Sequence, residues 1–233
     1  MYHSIDADGR DRLAISPELF ASQMAFLVEN NFQVISLETA VKKLKSDASL
    51  DRSIVLTFDD GYLDFLTNAL PILERHRFPA TLFIVTQLNE ARWRSNSTPL
   101  LTGEDINEVK ARGVSLGSHT ATHRDLTELD EDTLNAELAE SRAAIASFGE
   151  TFIPFAYPGG TFTPRERAAV EAAGYDCGVI VGGRWGNGPE TDPFLLKREP
   201  MLASDSSVWF QKRVNGFYEA HYLIARARGI ETR

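Results

Sequence analysis

The sequence predicts an α/β protein: a parallel sheet with helices outside it, curled by right-handed crossovers toward a distorted (β/α) barrel of about seven or eight strands. Three observations carry this expectation. Short apolar, β-branched runs of strand length alternate with segments of helical period along the chain. Several of these runs end in acids, histidines or glycines, the residue types that build ligand sites at the carboxyl edge of such sheets. The chain has 233 residues, 43% of them hydrophobic and 24% charged, enough for one sizeable core and without a compositional break. Residues 1–233 therefore read as a single domain. Strand periodicity by itself leaves an open doubly wound sheet as the alternative, and there is no repeat of solenoid period.

Tyr2-His3-Ser4 opens a short strand, and the polar stretch 6–12 is a loop. Ser16 is a good N-cap with Pro17 at the first helical position, and Leu19, Phe20, Met24, Leu27 and Val28 recur at helical spacing until Asn30-Asn31. A strand over 32–35 follows, then Ser36 caps a helix reaching about Leu44, and 46–52 is a linker. Ile54-Val55-Leu56-Thr57-Phe58 reads as a strand buried on both faces, and it stops in Asp59-Asp60-Gly61. A helix carrying Phe65, Leu66, Leu70, Ile72 and Leu73 leads into a strand over 80–85, which makes a βαβ unit. After a long loop over 87–101, Thr102 caps another helix. A strand over 114–118 runs into His119-Thr120-Ala121-Thr122-His123. The second half offers a helix over 131–148, a strand over 152–157, the turn Pro158-Gly159-Gly160, a helix from Pro164 to Gly174 and a strand over 176–181. A glycine-rich loop over 182–188, a short strand over 194–196 and a last helix over 207–228 complete the pattern.

Asp59 and Asp60 are like charges side by side at a strand end, so a cation is expected to offset them, a divalent metal first of all. His119 and His123 fall after another strand on the same edge, and a helical turn there would bring both imidazoles to one side. Two histidines and one carboxylate around an ion leave a coordination position open, which is a catalytic rather than a structural arrangement. Such an ion polarises a carbonyl and acidifies water, and the second acid is free to take the water's proton.

A net charge of −9 without clustered Lys and Arg argues against nucleic acid as a partner, and no apolar run is long enough for membrane insertion. The lone Cys177 forms no intrachain disulfide and sits in an apolar stretch as a small core residue. No signal peptide precedes the fold, which points to the cytoplasm; Met1-Tyr2-His3 also resembles the tail of a strand whose beginning is missing, and a truncated start leaves a periplasmic or extracellular location open. Oligomeric state leaves no mark on the sequence.

The chain resembles the polysaccharide deacetylase family, the NodB-homology group also called carbohydrate esterase family 4. Thr57-Phe58-Asp59-Asp60-Gly61 matches its first motif and His119-Thr120-Ala121-Thr122-His123 its second. The resemblance implies a NodB-like distorted barrel, Asp59 as general base, and Asp60, His119 and His123 as ligands of one divalent metal, zinc first, with cobalt, nickel or manganese as alternatives. It implies hydrolysis of an N-acetyl, or an O-acetyl, group on a sugar or polysaccharide. The third motif is matched in part: where many relatives place an arginine that orients the base, the stretch Phe155-Ala156-Tyr157-Pro158-Gly159-Gly160 has Ala156. Its turn would direct the Gly159 N–H at the developing oxyanion. The family's late Leu-x-His motif has no counterpart, and the one late histidine, His221, reads as a surface or packing residue. His3, in a Tyr-His pair like that of similar deacetylases, is the candidate acid. Tyr62, Trp93, Tyr157, Pro158, Phe162 and Trp185 are candidates for contact with the sugar, and Asp64 and Asp125 for caps or supports, Asp125 behind a ligating histidine. Two other readings stay open: a carbohydrate-binding relative that keeps the metal without catalysis, and a hydrolase of a small amide that is not a sugar.

Overall fold

The computed structural model describes residues 1–6, 12–46, 48–87, 99–182 and 186–215. Its strands lie in two parallel sheets. Gln33–Val34 (β1) pairs with Ser53–Ile54 (β2). Leu56–Phe58 (β3), Ala80–Ile84 (β4), Ser115–Ser118 (β5), Pro154–Ala156 (β6), Cys177–Val181 (β7) and Leu196–Arg198 (β8) form a six-stranded sheet in that order. β3, β4 and β6 are buried at every position, as expected of parallel strands covered on both faces.

Helix Pro17–Glu29 (α1) precedes β1, helices Leu37–Lys45 (α2), Leu70–His76 (α3), Gly103–Ala111 (α4), Glu131–Ser147 (α5) and Pro164–Ala172 (α6) connect these strands, and Ser207–Val214 (α7) follows β8. Their starts are where the capping residues put them. The Ser16 and Ser36 side chains accept from Leu19 N–H and Thr39 N–H, while Thr102 and Thr163 form capping boxes with Asp105 and Glu166. Each such cap satisfies first-turn donors and contributes roughly 1 kcal/mol.

Two residues at the amino end join the edges of the curled sheet. Tyr2 forms a parallel bridge with Phe58: its N–H donates to the Thr57 carbonyl at 2.8 Å and its carbonyl accepts from Asp59 N–H at 3.0 Å. Met1 pairs on the other side, donating to the Glu199 carbonyl at 2.9 Å and accepting from Met201 N–H at 2.9 Å. The half-barrel is thus closed at its carboxyl rim between β3 and the residues after β8. The Tyr2 ring stacks on Phe58 at 5.3 Å, with Phe20 and Phe65 edge-on, in the core beneath that seam. Burying rings of this size contributes about 2 kcal/mol each.

Several elements depart from the sequence expectation. Residues Phe65–Ala69 form a π-turn before α3, with Leu70 N–H bonded to the Phe65 carbonyl; Pro71 has no N–H for the normal ladder, so the turn widens just before it. β8 lies two residues later than expected, because Asp192 holds a turn through Phe194 N–H and Leu195 N–H. His119 to His123 is not helical: Thr120 and His123 take left-handed φ of 67° and 59°. α7 is described only to Val214, and the remainder of the expected last helix, with His221, lies outside the described residues. Among the described residues no helix is long and apolar enough to cross a membrane.

Candidate metal centre and active site

The parallel register brings the two motifs to one rim. Leu82 pairs with Phe58 on one side, and Ile84 on the same strand pairs with Ser118 on the other. His119 N–H then continues the ladder to the Ile84 carbonyl at 2.8 Å. Asp60 follows β3 at φ 76°, a strained conformation for a residue with a side chain, and Gly61 turns the chain away at φ 83°. The result is that Asp60 Oδ1 lies 3.6 Å from His119 Nε2 and 3.6 Å from His123 Nε2.

These residues fit a metal. Bonds of about 2.0–2.1 Å around a tetrahedral ion place neighbouring ligand atoms about 3.4 Å apart, close to the spacing found. The ligand atoms of Asp60, His119 and His123 all lie within 4.8 Å of one another. His119 Nδ1–H is positioned to donate to the Ala156 carbonyl at 2.7 Å, which turns the lone pair of Nε2 toward Asp60. His119 is 3% exposed and His123 16%, so the cluster opens on the His123 side.

Beside it lies Asp59. Arg198, the last residue of β8, grips its carboxylate with Nη1 on Oδ1 at 2.6 Å and Nη2 on Oδ2 at 2.8 Å, and also reaches Thr57 Oγ1 at 3.2 Å. Burial alone would raise the Asp59 carboxyl, but the Arg198 guanidinium, with His119 and His3, outweighs it and holds the group well below the usual carboxylate range. The arginine missing at Ala156 is therefore supplied from another strand. Arg198 is not among the residues that the sequence singles out, and its one signal there is a basic residue at the end of an apolar run, Phe194-Leu195-Leu196.

The sequence pattern of the family described as polysaccharide deacetylase matches residues 46–178, more than half of the chain. The chain belongs to the polysaccharide deacetylase family. It is 29% identical over 181 residues to the Bacillus subtilis protein YxkH, covering 77% of this chain and 62% of that one. It is 34% identical over 109 residues to the chitooligosaccharide deacetylase of a Bradyrhizobium strain, covering 46% of this chain and 45% of that protein. The chain thus spans less than two thirds of the length of these relatives. The solved Streptococcus pyogenes deacetylase PplD, in complex with acetate, superposes with a TM-score of 0.79 at 25% identity, covering 91% of this chain and 95% of that one.

The other residues expected to serve this family member's site are distributed unevenly. The Tyr2–Phe58 bridge places His3 next to Asp59 in register; it is half-buried, and burial pushes its imidazole down to about 4 against the opposing pull of the Asp59 charge. Gly159 stands exposed on the rim at φ 63°, in a turn whose Gly160 and Thr161 amides are spent on the Tyr157 and Pro158 carbonyls.

Burial corrects the expectation of sugar contact for Tyr62, Tyr157 and Pro158. Tyr62 is 4% exposed and Tyr157 fully buried, with its ring among Phe155 and Phe162, so neither presents a face to a sugar; Pro158 is buried too. Phe162 is half-buried, while Trp93 and Trp185 lie outside the described residues. Asp125 caps the short turn Leu126–Glu128 by accepting from Thr127, and the support behind His119 is the Ala156 carbonyl instead. Asp64 is buried and accepts from Ser4 Oγ, tying down the segment that carries His3.

Proposed function

We propose that this chain is a metal-dependent deacetylase that hydrolyses the N-acetyl group of a sugar, with N-acetylglucosamine oligomers or polymers as the substrate class. The observation that carries this reading is the Asp60, His119 and His123 cluster with the arginine-held Asp59 next to it. The name of the chitooligosaccharide deacetylase relative supports the substrate class. A divalent ion held by Asp60, His119 and His123, zinc by the preference of mixed histidine and carboxylate sites, would polarise the acetyl carbonyl and acidify a water.

The chain's own residues do the rest. Asp59, kept ionised and aimed by Arg198, takes a proton from the attacking water as its oxygen bonds to the acetyl carbon. The Gly159 N–H faces the oxyanion that develops on that carbon. The carbon–nitrogen bond then breaks, acetate leaves, and the amine nitrogen takes a proton from His3. His3, which follows the Tyr2–Phe58 bridge and so lies beside Asp59, relays to the amine the proton that Asp59 took from the water. Acetate release from N-acetylglucosamine oligomers by zinc- or cobalt-loaded protein, abolished by chelation and restored by the metal, is the expected result. Loaded protein that releases no acetate from any such oligomer would refute the reading.

A further inference from the structure

We infer that Glu137 is a positioning residue for the metal ligands, acting on the backbone between them from a helix that contributes no ligand itself. The inference rests on the metal reading above. Glu137 sits in the middle of α5, is 6% exposed, and is the one acid of that helix turned fully inward. Its Oε2 accepts from Ala121 N–H at 2.9 Å and from Thr122 N–H at 3.0 Å, and its Oε1 accepts from the Thr122 hydroxyl. Three donors within the five-residue span from His119 to His123 thus converge on one carboxylate.

That span needs an outside hold. Thr120 and His123 both have left-handed φ, which a residue with a side chain adopts only when its surroundings over-determine it. The local ties are short-range: Ser118 Oγ takes Thr120 N–H at 3.2 Å and Thr120 Oγ1 takes His123 N–H at 2.8 Å. The Thr120 and Ala121 carbonyls accept from Thr86 and Gln87 N–H. Glu137 engages the two central amides between the ligands. A buried carboxylate is costly unless each oxygen is satisfied, and here both oxygens are spent on fixing one loop. His123 is the ligand most dependent on it, because it is the last residue of the span and, unlike His119, is not in the strand ladder.

The test is a cobalt titration of purified wild-type, Glu137→Gln, Glu137→Ala and Thr122→Val proteins, reading dissociation constant and d–d absorption spectrum. Amide exchange of residues 121 and 122 in the metal-free proteins is measured alongside. A positioning role predicts that Glu137→Ala weakens cobalt binding about tenfold or more, as removal of supporting hydrogen bonds at metal sites does. It also predicts an altered spectrum, faster exchange at both amides, a smaller loss in Thr122→Val and partial rescue in Glu137→Gln. A role confined to stability would lower the melting temperature and leave affinity and spectrum of the folded variants at the wild-type values, which overturns the inference. If Glu137→Ala does not fold, Thr122→Val and Glu137→Gln decide it by the same readouts. Wild-type protein that binds neither cobalt nor zinc would overturn the metal reading itself, whereas wild-type binding with unchanged variants overturns only the role of Glu137.

Discussion

Arg198 and Asp59, 139 residues apart in sequence, meet as a two-pronged ion pair with bonds of 2.6 and 2.8 Å in a nearly solvent-free position. Such a fork fixes the plane of the carboxylate as well as its charge, which a lysine's point charge would not do.

Replacing Arg198 by Met leaves Asp59 as a buried charge without its counter-ion. Breaking one partner of such a pair typically costs about 3–5 kcal/mol. Urea unfolding at pH 7 should show a loss of that order, and the Asp59→Asn, Arg198→Met double variant should recover part of it. A single-variant loss below about 0.5 kcal/mol, the scale of an exposed pair, would contradict this assignment.

The same pair sets a pH dependence. The folded-state value of Asp59 is depressed, so its stabilisation is present above the ordinary carboxylate range and disappears as pH falls below about 4. Wild-type protein should therefore lose stability between roughly pH 4 and pH 2 more steeply than Asp59→Asn. Parallel stability curves over that window would remove the assigned cause.

Asp64 runs the other way. Burial raises its carboxyl from 3.8 to about 6 despite the bond from Ser4. A raised acid is most favourable in the protonated form, so its contribution is full below about pH 4 and is lost as pH rises through about 6. Asp64→Asn should equal wild type near pH 4 and exceed it by about 2–3 kcal/mol at pH 8, the equivalent of about two pKa units. Denaturant midpoints at the two pH values check this, and a variant less stable at pH 8 would sink it.

How much of the site is legible in the sequence can be judged residue by residue. The strand before Asp59 and the two motifs stand out because acids and histidines set directly after β-branched runs seldom serve packing. The rim that unites them follows from parallel strand order. Arg198 is not legible, since a guanidinium that is buried by a partner 139 positions away looks like any basic residue near a strand end. Tyr62 and Tyr157 carry the same signal whether they stack on a sugar or fill the core, and only burial separates the two. The spacing of four between His119 and His123 suggests a helical turn; the left-handed residues found there and the hold from Glu137 belong to tertiary context.

His3→Gln removes the proposed proton donor while keeping a polar side chain of similar reach. The rate of acetate release at saturation should fall by about 100-fold or more, the scale of general acid catalysis, with KM and cobalt affinity little changed. A saturated rate within a factor of about two of wild type would take His3 out of the reaction.

Asp59→Asn keeps the cluster of Asp60, His119 and His123 but cannot take the water's proton. It should bind one equivalent of cobalt and lose turnover by about 100- to 10,000-fold. Full turnover in metal-loaded Asp59→Asn would assign the base elsewhere.

The most direct measurement is the anomalous scattering of crystals of the zinc-loaded protein, collected on both sides of the zinc edge. One peak per chain is expected, about 2 Å from Asp60 Oδ1, His119 Nε2 and His123 Nε2 together. A peak elsewhere, or zinc-loaded crystals with these three side chains turned apart, would contradict the metal centre proposed for this chain.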